Sequence, residues 1–157
     1  MRFISKNKLS DFEFHDAQFA LEVFDNNILA VKARYLNIHK DTEQNSFETD
    51  MEIESAIITF EKFKLISYES RKPLEQYENG ALKSNELQLV FMEHSAYSCF
   101  YEQLKAGLTV FDFGVKECDI YFLDAMSKDP VFTVCFTFEN VSIEWDEYKK
   151  EAWYVSR

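Results

Sequence analysis

The sequence predicts a mainly β fold: an antiparallel sandwich or partly open barrel of about seven strands with one short helix. Three observations carry that expectation. From Val131 to Asp146, Phe132, Val134, Phe136 and Phe138 sit two apart, and after a slip of one so do Val141, Ile143 and Trp145. Period-two alternation marks a strand with one buried side. Aromatic residues make up 17% of the chain, and rings favour pleated, half-buried surfaces. With only 3 Gly and 2 Pro, a meander of tight hairpins is not expected, and long strands joined by polar loops are.

The slip at Glu139-Asn140 has two readings. A two-residue hairpin would set Phe138 against Val141, Phe136 against Ile143 and Val134 against Trp145. A single long strand with a bulge would restore the inward face after a kink. Asn140 tolerates positive φ and Glu139 does so poorly, so turn chemistry favours the bulge. The segment Ile58-Thr59-Phe60-Glu61-Lys62-Phe63-Lys64-Leu65 has the same pattern as Phe136-Thr137-Phe138-Glu139-Asn140-Val141-Ser142-Ile143. A duplicated β unit, a bulged long strand reached twice, and two strands alike through shared composition all fit this match.

The remaining elements follow in order. A basic lead-in, Met1 to Ser10, holds an edge strand at Arg2 to Ile4. Residues 18–24 alternate as a strand, and Asp25-Asn26-Asn27 turns it, because Asn tolerates positive φ. Residues 28–38 return, with Leu29, Val31, Ala33 and Tyr35 on one face and Lys32 and Arg34 on the solvated one. His39 to Asp50 is a polar loop, and residues 51–68 are strand again. Ser70 to Asn85, holding Pro73 and Asn79-Gly80, is the longest candidate for mobility. Leu87, Leu89 and Phe91 carry a strand over 86–93. Over 95–106 the period changes: Tyr97, Phe100, Tyr101 and Leu104 make one helical face, Ser95 caps it and Gly107 stops it. Strand resumes at Leu108 to Phe113 and at Lys116 to Leu123, with Cys118, Ile120 and Phe122 on one side. Trp153, Tyr154 and Val155 are too apolar for a free tail and are expected to dock on the domain or a partner.

At 157 residues the chain reads as one domain, 1–157, with 46% hydrophobic residues to fill a core. Its net charge of −11 repels phosphate, so neither nucleic acid nor an anionic membrane is an expected partner. A basic protein surface is allowed but not required, since an acidic balance also serves solubility alone. Cys99, Cys118 and Cys135 form no CxxC pair, and no apolar signal core or membrane-length run is present. Free, buried thiols in a reducing, cytoplasmic setting are expected.

Chemistry-bearing motifs are sparse. His15, His39 and His94 show no HxH or HxxxH spacing, so no metal centre is expected. No GxSxG and no GxxxxGK[ST] occurs, and neither a catalytic residue nor a cofactor is assigned. Within Phe14-His15-Asp16-Ala17, His15 and Asp16 could meet in a turn, or bond nearby backbone and fix the entry to the first strand. Asp50, Glu52 and Glu54 alternate, which puts them on one strand face, either solvated or a docking patch for a Lys/Arg-rich partner. Glu144 and Asp146 flank Trp145 near Glu139, Glu147 and Tyr148, an acidic rim with aromatic anchors of the kind protein interfaces use.

The Phe14-His15-Asp16-Ala17 box, the strand and Asp25-Asn26-Asn27 turn, and then Ile57-Ile58-Thr59-Phe60-Glu61-Lys62-Phe63 resemble a group of small uncharacterised bacterial β proteins. Those proteins open with such a box, and some are proposed as immunity proteins, cytoplasmic antidotes to polymorphic toxins. The resemblance covers residues 12–68. The Trp that often precedes the box is absent, with Leu9 to Phe12 in its place. Together with the −11 charge and the absent catalytic motifs it points to a non-enzymatic binding protein whose acidic strand faces would mask a basic toxin surface, and it brings no catalytic residue. Two other expectations stand beside it. One is a ligand-binding or enzymatic β barrel with His15, Asp16 or His94 as polar handles. The other is a structural homo-oligomer joined through a strand edge or the Trp153-Tyr154-Val155 tail.

Overall fold

The structure, a computed structural model, describes residues 2–78 and 81–155, and for residues 71–78 and 81–88 it describes the backbone alone. The chain begins with β1 (Phe3–Lys6), a 3-10 turn (Leu9–Asp11) and the short β2 (Phe12–Glu13). β3 (Gln18–Asp25) and β4 (Ile28–Arg34) form the expected first hairpin. β5 (Asn37–Ile38), β6 (Met51–Ile53), β7 (Ala56–Glu61), β8 (Lys64–Glu78) and β9 (Ala81–Met92) lead to the helix α1 (Glu93–Ala106). β10 (Leu108–Glu117), β11 (Ile120–Met126), β12 (Phe132–Thr137), β13 (Asn140–Trp145) and β14 (Tyr148–Glu151) complete it.

The main sheet runs β1-β13-β7-β4-β3-β10-β11-β12-β8-β9, all antiparallel. Because β12 runs on into β13, and β7 into β8, these pairings close a ring. The class is the one the alternation predicts. The strands outnumber seven because long paths break at corners and because β14-β6-β5-β2 add a second small sheet.

The corner settles the slip at Glu139-Asn140. β12 and β13 do not pair with each other, so the hairpin reading is corrected: they are one long path with β8 and β7 alongside. The break is not a one-sided bulge either. Glu61 pairs with Asn140 and Lys64 with Thr137, so each strand gives up the same two residues and both turn together. Lys62 takes φ 53° there, and the Glu139 amide donates to the Glu61 carbonyl at 3.0 Å. The two similar segments are therefore partners across one ribbon, related by a local two-fold. Phe60 and Phe138, equivalent in the match, meet with ring centroids 5.1 Å apart. A corner turned by both strands makes the same demand on each: an inward ring, a freed polar residue, then a return to apolar alternation.

Rings fill the barrel. Phe60, Phe100, Phe113 and Phe136, with Leu29 and Leu123, surround only about 10 Å³ of space. Phe100 and Leu104 come from α1, which packs inward by Ala96, Phe100, Gln103 and Leu104; Tyr97 is half-buried and Tyr101 exposed, so the expected face is corrected to one turned toward Ala96 and Gln103. The helix starts earlier than expected, at Glu93 with Met92 before it, so Ser95 is not its cap. Gly107, at φ 86°, stops it and donates to the Leu104 carbonyl.

Other expectations change. Residues 28–38 are not one strand: Tyr35 sits at φ 58°, exposed, and splits β4 from β5. Cys118 is not on the face of Ile120 and Phe122; it is exposed at φ 48° in the turn between β10 and β11. Ser70 to Asn85 is not a loop over its described residues. β8 and β9 continue as a two-stranded ribbon past Ser70, where the pairing with β12 ends. A ribbon that leaves the sheet needs no alternating apolar face, and Pro73 falls where β8 keeps only β9 as partner. Asn79-Gly80 lie outside the described residues. Among those residues no helix is long and apolar enough to cross a membrane.

Candidate binding clefts

The Phe14-His15-Asp16-Ala17 box is where two sheets part. Ala17 is fully buried and Phe14 nearly so, while Asp16 takes φ 70°. The Asp16 amide donates to the Val110 carbonyl at 2.9 Å, and the Val110 amide to the Ala17 carbonyl at 2.8 Å, so the box extends the β3–β10 seam. His15 Nδ1–H donates to the Phe111 carbonyl at 2.7 Å, and its Nε2 lies 3.7 Å from Asp16 Oδ1. The hydrogen bond to Phe111 raises the His15 pKa above its usual value; burial opposes this, and Asp16, Glu13 and Asp112 add to it. Both side chains are about half exposed. His15 and Asp16 do meet, and their main bonds are to backbone.

On the N-terminal side of the box the chain leaves β10, and Phe12 pairs with Ile38 in the small sheet. β10 runs on to Glu117, and from Asp112 onward β11 is its only strand partner among the described residues. The divergence opens a cleft of about 570 Å³. Phe12, Phe14, Phe113, Gly114 and Val115 line it, with Tyr121 and Phe138. The Tyr121 and Phe138 ring centroids are 4.6 Å apart, and Phe14 meets Phe113 at 4.7 Å. Asp119 and Glu139 supply carboxylates to the lining. Asn7, at φ 56°, fixes the near end: its Oδ1 accepts from the Val141 amide and its Nδ2 donates to Asn140 Oδ1. Glu139 pairs with Lys62 at 3.0 Å, an exposed ion pair of the kind worth little.

The acidic triplet does not form one solvated face, and that expectation is corrected. Only 51–53 is strand, so alternation does not extend to Asp50 or Glu54. Asp50, with a side chain 16% exposed, accepts from the Lys40 amide at 2.8 Å, His39 Nδ1 at 3.0 Å and the Tyr154 hydroxyl at 2.6 Å. It docks the tail, whose Ala152 is buried and whose Trp153 stays exposed. Burial works to raise the Asp50 pKa, and the three hydrogen bonds outweigh it and hold the carboxyl below its usual value. Glu52 is buried, with Lys149 Nζ at 3.8 Å. Glu54 alone is exposed.

Trp145 is likewise not a surface anchor. It is fully buried, stacked on Phe3 at 5.5 Å and edge-on to Phe12 at 5.8 Å. Glu144 is half-buried in β13 between Ile4 and Ile57. Asp146 is exposed, accepts from the Arg2 amide at 2.9 Å, and with Glu147, Phe47 and Tyr148 lines a second hollow of about 370 Å³. The Arg2 guanidinium lies 5.3 Å from the Phe3 ring in that hollow. His94 is exposed in the first turn of α1 and lines neither hollow.

Sequence reasoning missed Phe113, Asp119 and Tyr121, because a gap between diverging strands leaves no local pattern. The one signal was Phe138, whose slipped parity marks the corner that borders the cleft. Among the described residues no three His, Cys, Asp or Glu side chains converge as metal ligands. No protein-family model, curated protein or solved structure matches the chain.

Proposed function

We propose that the chain is a non-enzymatic binding protein that receives a basic surface of a partner protein in the cleft beside β10. The observation that supports this most is the make-up of the cleft: aromatic rings lined with the Asp119 and Glu139 carboxylates, in a chain of net charge −11. Rings cover the apolar stems of Lys and Arg and attract their charged heads. The surplus negative charge steers such a surface inward and makes the encounter sensitive to salt. The Arg2 guanidinium over the Phe3 ring, in a hollow that Asp146 also lines, is a cation–ring contact of this kind within one chain. An antidote that masks a basic toxin surface is the form the resemblance to immunity proteins gives this reading. The filled barrel interior disfavours an internal ligand pocket.

Capture from extracts of the source organism tests it, using the native chain and the double variant Asp119→Asn/Glu139→Gln at low and high salt. A basic partner held at low salt, released at high salt and lost to the double variant is the expected result. Recovery of no partner at either salt removes the reading. Equal recovery by the double variant removes the cleft.

A further inference from the structure

We infer that β10 takes an extended segment of the partner as an added strand, with alternate side chains of that segment seated on the rings of the cleft. This rests on the basic-partner reading and specifies how the partner binds.

The edge of β10 is open. From Asp112 to Glu117 it pairs with β11 on one side and with no described strand on the other. Two backbone groups at the near end of this edge are held by exposed side chains. The Phe113 amide donates to Asp112 Oδ1 at 2.9 Å, and the Phe111 carbonyl accepts from His15. Asp112 and His15 are both exposed, so an incoming backbone can displace them without disturbing the core. Val115 shares the parity of Phe113, because the register between them is unbroken. Strand edges are normally guarded by charge, by Pro or by cover. Asp112, Lys116 and Glu117 put charge at both ends of this edge, and the stretch between them, Phe113-Gly114-Val115, has no charge and no Pro, with Val115 55% exposed.

The dimensions agree. Asp112 to Glu117 offers about 20 Å of edge at about 3.3 Å per residue. A cleft of about 570 Å³ lies against it, within the range of preformed binding sites. Strand addition draws affinity from main-chain hydrogen bonds and specificity from pockets for alternate side chains. Here those pockets are aromatic, and Asp119 and Glu139 call for Lys or Arg at flanking positions. The occupant is therefore an extended stretch alternating apolar and basic residues.

A panel of capped peptides of about eight residues, alternating apolar residues with lysine or arginine, provides the probe. Each is also made with the amides of one edge, or of the other, N-methylated. The expected result is binding at a Kd below about 1 mM, weakened about tenfold or more by methylation of one edge only, with slowed amide exchange at Phe113 and Val115. Val115→Pro, which places Pro on an open edge where it is tolerated, should abolish binding with the circular dichroism unchanged. The methylated peptides test the same contact on the native chain should that variant misfold. Failure of the whole panel, or equal affinity of both methylated forms, overturns the inference. Should the native chain and Val115→Pro capture one partner equally, strand addition falls while the basic-partner reading stands. Should neither capture any partner, the reading itself falls.

Discussion

Asp50 and His15 show how far a single side chain can be read from its neighbours in the sequence. Asp50 ties the loop after β5 to the C-terminal tail by accepting three hydrogen bonds. Its folded pKa lies below the usual value of an aspartate carboxyl. Its contribution is therefore present above about pH 4 and is lost as pH falls through the lower, folded value. Asp50→Asn should cost about 1–3 kcal/mol at neutral pH by weakening buried hydrogen bonds, and should flatten the acid limb of a urea-denaturation series. An unchanged acid limb would show that the carboxylate is not the latch. His15 runs the other way. Its folded pKa is raised, so its stabilisation is complete below the usual value near 6.5 and is lost as pH rises through the folded one. An NMR titration should place the imidazole above 6.5, and a value at or below that contradicts the bond to Phe111. The sequence singled out both residues by chemistry. It could not say that Asp50 faces inward, because strand parity holds only within a strand, and that strand is 51–53.

The shared corner of β7–β8 and β12–β13 is the element on which the barrel closes. Phe60 is buried on it, whereas Phe138 is half-buried and borders the cleft. Phe60→Ala should cost about 3–5 kcal/mol, as for other buried rings. Phe138→Ala should cost about 1–2 kcal/mol, because less area is lost, and should weaken partner capture more than it weakens the fold. Denaturation midpoints decide between them, and equal losses would mean that the corner is not arranged as described. Alternation from Phe132 to Trp145 was legible because each side chain reports its own burial. The pairing was not, since a strand's partner is fixed by the whole topology. The matched segments were the only clue to it, and a match alone does not distinguish duplication from direct contact.

For the whole molecule, a mainly β class with one helix was legible from period and composition, and the ring closure was not. The cleft was least legible of all. It exists because Phe12 and Glu13 turn to β5 while β10 keeps going, and no residue in either segment announces the other's path. The charge of −11 was legible as a property of the chain, and the folded molecule sets Asp119 and Glu139 in the lining of that cleft. The most direct measurement of the account is backbone hydrogen exchange of the chain, free and bound to the partner captured at low salt. Slowed exchange along 111–117, with the flanking segments 7–14 and 136–141, is the predicted footprint. Slowed exchange confined to other faces, such as the hollow of Arg2 and Asp146, would contradict it.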